Sequence, residues 1–218
     1  MSTLQGGPGT IVTEGLVLYL DAANHASYTS GSNTWYDLAG SNNGTLTNGP
    51  TFSPDNAGSI VFDGVDDKVT LNIPNNTNSA SIEVWCKTNT VASSQILFAY
   101  DNGTNQRFYL GFRSNDSWDV GIQNLAWTST DIIPDTEWNH FIVTLDNGTA
   151  SVYRNGNLVR TRNYTTFALV DSTLNISSNF LNNYWWNGQV SLFKSHNRAL
   201  TASEVLQNYN ALKGRFGL

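Results

Sequence analysis

Charged residues are scarce in this sequence: Lys, Arg, Asp and Glu together make up 13% of its 218 residues. The eleven basic residues are scattered, and Arg154, Arg160 and Arg162 form only a modest cluster. Phosphate recognition needs clustered Lys and Arg, and the formal net charge is -6. We therefore expect no nucleic-acid partner.

The sequence has a single cysteine, Cys86, which excludes an intrachain disulfide framework. Cys86 alternates in phase with Ile82 and Val84, so we expect a free thiol buried in the core. Glu83 and Trp85 are out of phase with Cys86, which places them on the outer face of the same strand.

Long apolar runs are also lacking. No window is long and apolar enough to cross a bilayer, so we expect no membrane partner. Residues 1–13 show neither the basic nor the apolar region of a signal peptide, and none is visible.

Catalytic patterns are missing as well. Glycosidases need two carboxylates at a fixed separation across the scissile bond. The four glutamates form no such pair, and the three histidines show no metal-ligand spacing. The sequence contains no nucleophile elbow or phosphate loop. We predict that the protein is not an enzyme.

Aromatic residues, by contrast, make up 12% of the chain and include seven Trp, and short alternating segments recur throughout. Asn147-Gly148 and Asn155-Gly156 lie between such segments and predict two hairpins, because both turn positions must accept positive φ. Gly64 to Asp67 predicts a third, between strands 59–63 and 68–72. About a dozen short strands indicate one all-β sandwich or jelly roll.

The C-terminal end predicts a strand over 188–195, beside the first strand at 15–21, and then one short helix. Thr201 and Glu204 fit a capping box. An apolar helical face follows, and Gly214 is the predicted stop. Residues 1–14 are predicted to form a flexible or anchoring arm, and residues 15–218 a single domain.

Several segments together resemble the laminin-G-like branch of the concanavalin A-like lectin/glucanase fold. They are residues 15–22, 59–64, 81–85, 138–141, 152–156 and 197–201. The Gly-Pro-Gly arm, residues 20–24 and the tail 208–216 are similar to structural proteins of tailed bacteriophages. The resemblance implies a two-sheet antiparallel jelly-roll sandwich with one short C-terminal helix, and a role in binding glycans or proteins.

The resemblance also implies Ca²⁺ at the sheet rim, held by hard oxygen ligands. Asp101 and Asn105 are the candidate ligands, in the segment where pentraxins place a ligand loop. Asp63, Asp66 and Asp67 form an alternative cluster, although Asp also favours turns for local hydrogen bonding.

A glycan site pairs an aromatic platform with amide and carboxylate hydrogen bonds. The candidates for glycan or partner binding are Tyr184, Trp185, Trp186, Asn183, Asp101 and Asn102. Consecutive strand residues face opposite ways, so only part of the aromatic run can be exposed.

These features favour a non-enzymatic phage virion protein, a capsid decoration or a tail or fibre component, that displays a lectin-like domain. We expect it on the virion surface, oligomeric in an assembly, with other virion proteins bound through the arm and with cell-surface glycans as further partners. The alternative is a secreted or cell-surface Ca²⁺-dependent lectin. A degenerate glycosidase is a third hypothesis.

Overall fold

The computed structural model describes residues 9–73, 78–101, 107–114, 117–122, 128–129, 132–164, 172–179 and 181–218. The strands are β1 (Leu16–Asp21), β2 (Thr34–Trp35), β3 (Gly44–Thr47), β4 (Thr51–Ser53), β5 (Ser59–Asp63), β6 (Lys68–Ile73), β7 (Ser79–Thr88), β8 (Gln95–Asp101), β9 (Arg107–Phe112), β10 (Trp118–Ile122), β11 (Thr128–Ser129), β12 (Asn139–Asp146), β13 (Thr149–Arg154), β14 (Asn157–Asn163), β15 (Ser172–Ile176) and β16 (Asn187–His196). The helix α1 spans Ala202–Leu212, and 3₁₀ turns lie at Asp55–Ala57 and Lys213–Phe216.

These strands form two antiparallel sheets, which confirms the predicted jelly-roll sandwich. The helix-side sheet has the order β14-β13-β12-β7-β16-β5-β4, and β1 also pairs with β16. The opposite sheet has the order β11-β10-β9-β8-β15-β6-β3-β2. Among the described helices, none is long and apolar enough to cross a membrane.

The alternation of side chains along β7 shows how the sequence builds two faces. Ile82, Val84 and Cys86 point into the core between the sheets and are fully buried. Burial raises the pKa of the Cys86 thiol above its usual range, so the prediction of an inert buried cysteine is confirmed. Glu83 and Trp85 point to the outer face, as predicted, but they are also fully buried. Other elements therefore cover this face.

The two Asn-Gly hairpins are confirmed. The turn at Asn147-Gly148 joins β12 to β13, and the turn at Asn155-Gly156 joins β13 to β14. Both residues of each turn have positive φ, at 42° and 98° in the first and 50° and 80° in the second. The local sequence determines these turns, because few residue pairs accept positive φ at both turn positions.

The predicted hairpin around Gly64 to Asp67 is wrong. β5 pairs with β4 and β16 in the helix-side sheet, whereas β6 pairs with β3 and β15 in the opposite sheet. Residues 64–67 therefore cross from one sheet to the other. Gly64 has φ 81°, and a Cβ there would lie 2.7 Å from the Asn187 Cβ. Turn-forming residues mark a reversal of direction but do not specify which strands pair.

The closing strand and helix form as predicted up to their end. β16 pairs with β1, and Thr201 and Glu204 form the capping box that starts α1. The predicted stop at Gly214 is wrong, because the chain continues as a 3₁₀ turn to Phe216 and Gly217 takes the left-handed conformation at φ 75°. This extra turn carries the buried Phe216 ring onto the outer face of the helix-side sheet.

Candidate functional site

Three connections meet at one end of the sandwich, and we call this surface the rim site. They are the crossover 64–67, the described residues 177–179 and 181–186, and the loop 89–94. Lys68 Nζ donates to Asn182 Oδ1 over 2.8 Å, which joins the first connection to the second. Asn89 Nδ2 donates to Asn187 Oδ1 over 3.0 Å, which joins the third connection to the start of β16.

The loop from Asn179 to Tyr184 is fixed by one buried amide side chain. Asn179 Oδ1 accepts hydrogen bonds from the backbone N–H groups of Leu181 and Asn183, each over 3.0 Å. The backbone N–H of Asn179 donates to the Asn183 carbonyl, and the N–H of Asn182 donates to the Asn179 carbonyl. These bonds tie Asn179 to the backbone of residues 181–183.

Tyr184 is the exposed aromatic residue of this loop. Its backbone has φ 57°, in the left-handed region, and its side chain is 52% exposed. A bulky residue in that region is strained and persists only where its surroundings fix it. Its carbonyl accepts from Ile96 N–H over 2.7 Å, which ties it to β8. The fold therefore fixes the backbone that carries this exposed aromatic ring.

The rest of the predicted aromatic platform divides between surface and core. Trp185 is partly buried, whereas Trp186 is fully buried and packs against Phe112 and Trp118 between the sheets. Trp186 therefore does not belong to a binding surface, and that part of the prediction is wrong, because alternate residues entering β16 face opposite ways. Asn183 is exposed beside Tyr184, and its carbonyl oxygens face Asn179.

The candidate Ca²⁺ ligands at the end of β8 fall largely outside the described part of the chain. Asn102 and Asn105 lie outside the described residues, and for Asp101 only the backbone, at the last position of β8, is described. Their roles in binding Ca²⁺ or a glycan stay predictions.

The alternative cluster of Asp63, Asp66 and Asp67 does come together. One carboxylate oxygen from each lies within 4.8 Å of the others. Asp67 is buried, and its Oδ2 accepts from the Asp63 N–H over 3.1 Å. Burial, together with the neighbouring carboxylates, raises the pKa of Asp67. Carboxylate oxygens are the ligands that Ca²⁺ prefers, so this cluster fits a cation better than an anion.

Sequence reasoning did not identify the contacts that organise the rim site. Asn179, Lys68 and Asn182 hold Tyr184 and the crossover together, yet each is one of many polar residues in an Asn-rich chain. Their importance depends on contacts between segments 114 residues apart, such as Lys68 to Asn182. No local pattern carries that information.

Comparison with known proteins agrees with the fold. The profile of the concanavalin A-like lectin/glucanases superfamily matches residues 63–206, more than half of the chain, so the chain belongs to this superfamily. A comparison with curated proteins gives no match.

Among solved structures, the chain is similar to a sialidase from Trypanosoma rangeli in complex with 2,3-difluorosialic acid, with a TM-score of 0.77, 16% identity, and coverage of 98% of this chain and 35% of that one. It is also similar to domain 4 of AbnA, a GH43 extracellular arabinanase from Geobacillus stearothermophilus, in complex with arabinotriose. For that domain the TM-score is 0.70, the identity is 17%, and the match covers 89% of this chain and 98% of that one. The chain thus spans about a third of the length of the sialidases and nearly all of the arabinanase domain. At these identities the likeness shows the fold alone.

Proposed function

We propose that this chain is a carbohydrate-binding domain without catalytic activity, and that it binds its glycan at the rim site around Tyr184. The observation that carries the proposal is the Tyr184 ring, exposed at the surface while its backbone is held in a strained conformation. Strain of this kind is concentrated at functional sites.

The chemistry of the rim site suits a sugar. An aromatic ring offers an apolar face for the C–H surface of a pyranose or furanose, and Asn182 and Asn183, exposed and adjacent to it in the chain, offer amide Nδ2 donors for hydroxyl groups. The hydrogen bonds of Asn179 fix the loop before a ligand arrives. A fixed loop reduces the conformational entropy lost on binding.

The placement of two of the four glutamates supports a non-catalytic role. Glu83 is fully buried in an ion pair, and Glu204 is bonded to Arg198 and to the helix cap.

The similarity to the arabinanase domain supports an oligosaccharide as the ligand. That domain has nearly the same extent as this chain, and its structure contains arabinotriose. We therefore expect neutral pentose or hexose oligosaccharides to be suitable first ligands for a binding test.

A glycan array with the purified chain tests the proposal. We expect selective binding to a small set of related glycans. Uniform background on every glycan, at protein concentrations up to about 100 μM, would contradict it. Adding EDTA in a parallel array tests the alternative, a secreted or cell-surface Ca²⁺-dependent lectin, which the Asp63, Asp66 and Asp67 cluster favours. That alternative requires binding to disappear with EDTA and to return with Ca²⁺.

We further propose that the domain is displayed on a phage particle, as a capsid decoration or a tail or fibre component, with residues 1–9 of the N-terminal arm contacting other virion proteins. The support is the sequence similarity of the arm and the C-terminal tail to structural proteins of tailed bacteriophages. Mass spectrometry of purified virions should detect the chain. Its absence from particles whose other structural proteins are detected would refute this placement without affecting the glycan proposal.

A further inference from the structure

A cluster of charged and polar side chains is buried beneath the C-terminal helix, away from the rim site. Glu83 Oε1 lies 2.8 Å from Lys194 Nζ and 3.1 Å from His140 Nε2. Glu83 Oε2 accepts from Asn208 Nδ2 of α1 over 2.7 Å. All four side chains are at most 1% exposed. The Lys194 contact is an ion pair, since its ammonium makes no hydrogen bond of standard geometry within the described part of the chain.

The same cluster holds the N-terminal segment in place. Asn208 Oδ1 accepts from the Val12 N–H over 2.7 Å, and His196 Nε2 donates to the Val12 carbonyl over 3.2 Å. Gln207 Nε2 also donates to the Thr10 carbonyl. We call residues 10–14 together with residues 201–216 the clasp. Asn208 links the clasp directly to Glu83 in the sheet.

Aromatic rings pack over the buried charged cluster. Trp85 stacks on His140, Tyr209 and Phe216, with ring centroids 4.7, 5.9 and 4.1 Å apart. From β1, Tyr19 lies over Lys194 at 5.6 Å, and Asp21 pairs with Arg215 over 2.8 Å. Within the described part of the chain, the charged groups that act on the two histidine rings are Glu83 and Lys194, together with Arg198 at His196.

In each buried histidine, one ring nitrogen makes a hydrogen bond and the other makes none with the described residues. A carboxylate and a carbonyl can only accept, so Nε2 carries the proton in both rings and Nδ1 is the unprotonated nitrogen. Nδ1 of His140 and Nδ1 of His196 are buried, with no hydrogen-bond partner among the described residues. A second proton on either ring would place an unpaired N–H and a positive charge in the closed interface.

We propose that the clasp is a pH-sensitive latch. It is closed at neutral pH and opens in mildly acidic medium, where protonation of His140 and His196 releases residues 10–14 and α1 from the helix-side sheet. Opening uncovers an apolar surface that includes Trp85, Ile142 and Leu192, all fully buried in the closed state. The latch does not depend on glycan binding.

The direction of the pH effect follows from the burial of the two rings. Desolvation lowers the pKa of both histidines, and Lys194 lowers it further, whereas the bonds to Glu83 and to the Val12 carbonyl oppose the shift. In the open clasp each ring is solvated again, so its pKa rises toward the ordinary value of about 6.5. The open form therefore binds more protons, and opening becomes more favourable as the pH falls through about 6.5. At pH 5 each histidine can raise the opening constant by up to about 30-fold.

Hydrogen exchange of the full chain at pH 7.5 and pH 5.0, corrected for intrinsic rates, tests the latch. We expect the amides of Val12 and of α1 to lose at least about 10-fold in protection at the lower pH. The amides of β12 at Ile142–Leu145 should keep theirs. Equal protection of the clasp at both pH values, or an equal loss in the clasp and in β12, would overturn the proposal.

A double variant and a matched control test whether His140 and His196 cause the pH dependence of exchange in the clasp. His140→Gln with His196→Gln keeps a donor at both positions and removes the titration, so the pH effect on clasp exchange should disappear. His25→Gln, at an exposed position, should keep the full effect. If the double variant does not fold, the imidazole signals of the wild type decide: midpoints clearly below 6.5 support the latch. Ordinary midpoints with the clasp amides still protected refute it.

Discussion

At Tyr184, a bulky side chain occupies a backbone conformation that glycine and asparagine adopt more readily. The sequence indicates an aromatic run flanked by asparagines, and this is enough to propose a glycan site there. It does not indicate that Tyr184 is exposed while Trp186 is buried, because the register of β16 is set by pairing with β5 and β7. The distinction therefore requires the tertiary structure.

We predict that Tyr184→Gly leaves the free energy of unfolding within about 1 kcal/mol of the wild type, because relief of backbone strain offsets the entropy that glycine loses on folding. The matched control is Tyr36→Gly, at a site 49% exposed and without positive φ. It should lose more stability than Tyr184→Gly. Urea denaturation of both variants measures the difference, and a larger loss at Tyr184 would show that its conformation is not strained.

Glu83 is the second residue whose role depends on distant partners. Its outward direction on β7 follows from the alternation with Cys86, but Lys194 and Asn208 are 111 and 125 positions away. Removing one partner from a buried ion pair leaves an uncompensated charge. We predict that Glu83→Gln lowers the free energy of unfolding by about 3–5 kcal/mol.

The control for this prediction is the double variant Glu83→Gln with Lys194→Met, which removes both charges. It should recover a large part of the loss seen in the single variant. If the double variant is as unstable as the sum of the two single variants, measured by urea denaturation, Glu83 and Lys194 are not coupled.

The pKa of Glu83 also predicts how the stability of the fold changes at acidic pH. Burial alone would raise its pKa, but the Lys194 ammonium and His140 outweigh burial and hold the pKa at about 2, below the ordinary 4.5. A carboxyl whose pKa is lowered by folding stabilises the fold above its unfolded pKa, and the contribution is lost as the pH falls from about 4.5 toward 2. Thermal unfolding across this range should show a steeper loss of Tm in the wild type than in Glu83→Gln. Equal slopes would contradict the assignment.

At the scale of elements, the segments with strong local signals form as predicted. The Asn-Gly turns and the capping box succeed because a few adjacent residues determine each of them. The crossover 64–67 and the end of the helix fail for the opposite reason. Their conformations are determined by the sheet that β6 joins and by the packing of Phe216 on Trp85 and Trp138.

Two substitutions in α1 test which of its faces packs on the helix-side sheet. Val205 is fully buried, in a cluster with Val12, Ile142 and Tyr153, whereas Leu206 is 46% exposed and lies beside Gly156. We predict that Val205→Ala costs about 2–3 kcal/mol of unfolding free energy and that Leu206→Ala costs about 1 kcal/mol or less. The reverse order in urea denaturation would show that α1 packs on the sheet through another face.

At the scale of the whole molecule, the sandwich follows from many short alternating strands, and the sequence was sufficient for that conclusion. The assignment of each strand to a sheet was not, because β7, β12 and β16 meet through pairings between residues far apart in the chain. The helix-side sheet is covered by the clasp over a buried charged cluster, and the rim site lies at the end of the sandwich.

We propose above that the exposed Tyr184 ring forms the glycan-binding surface. Isothermal titration calorimetry with the strongest neutral oligosaccharide from the array, using Tyr184→Ala and Tyr36→Ala in parallel, tests it most directly. We predict that Tyr184→Ala weakens binding at least about 10-fold, which corresponds to about 1.4 kcal/mol, and that Tyr36→Ala binds like the wild type. Unchanged affinity in Tyr184→Ala, with the fold intact by circular dichroism, would contradict the account.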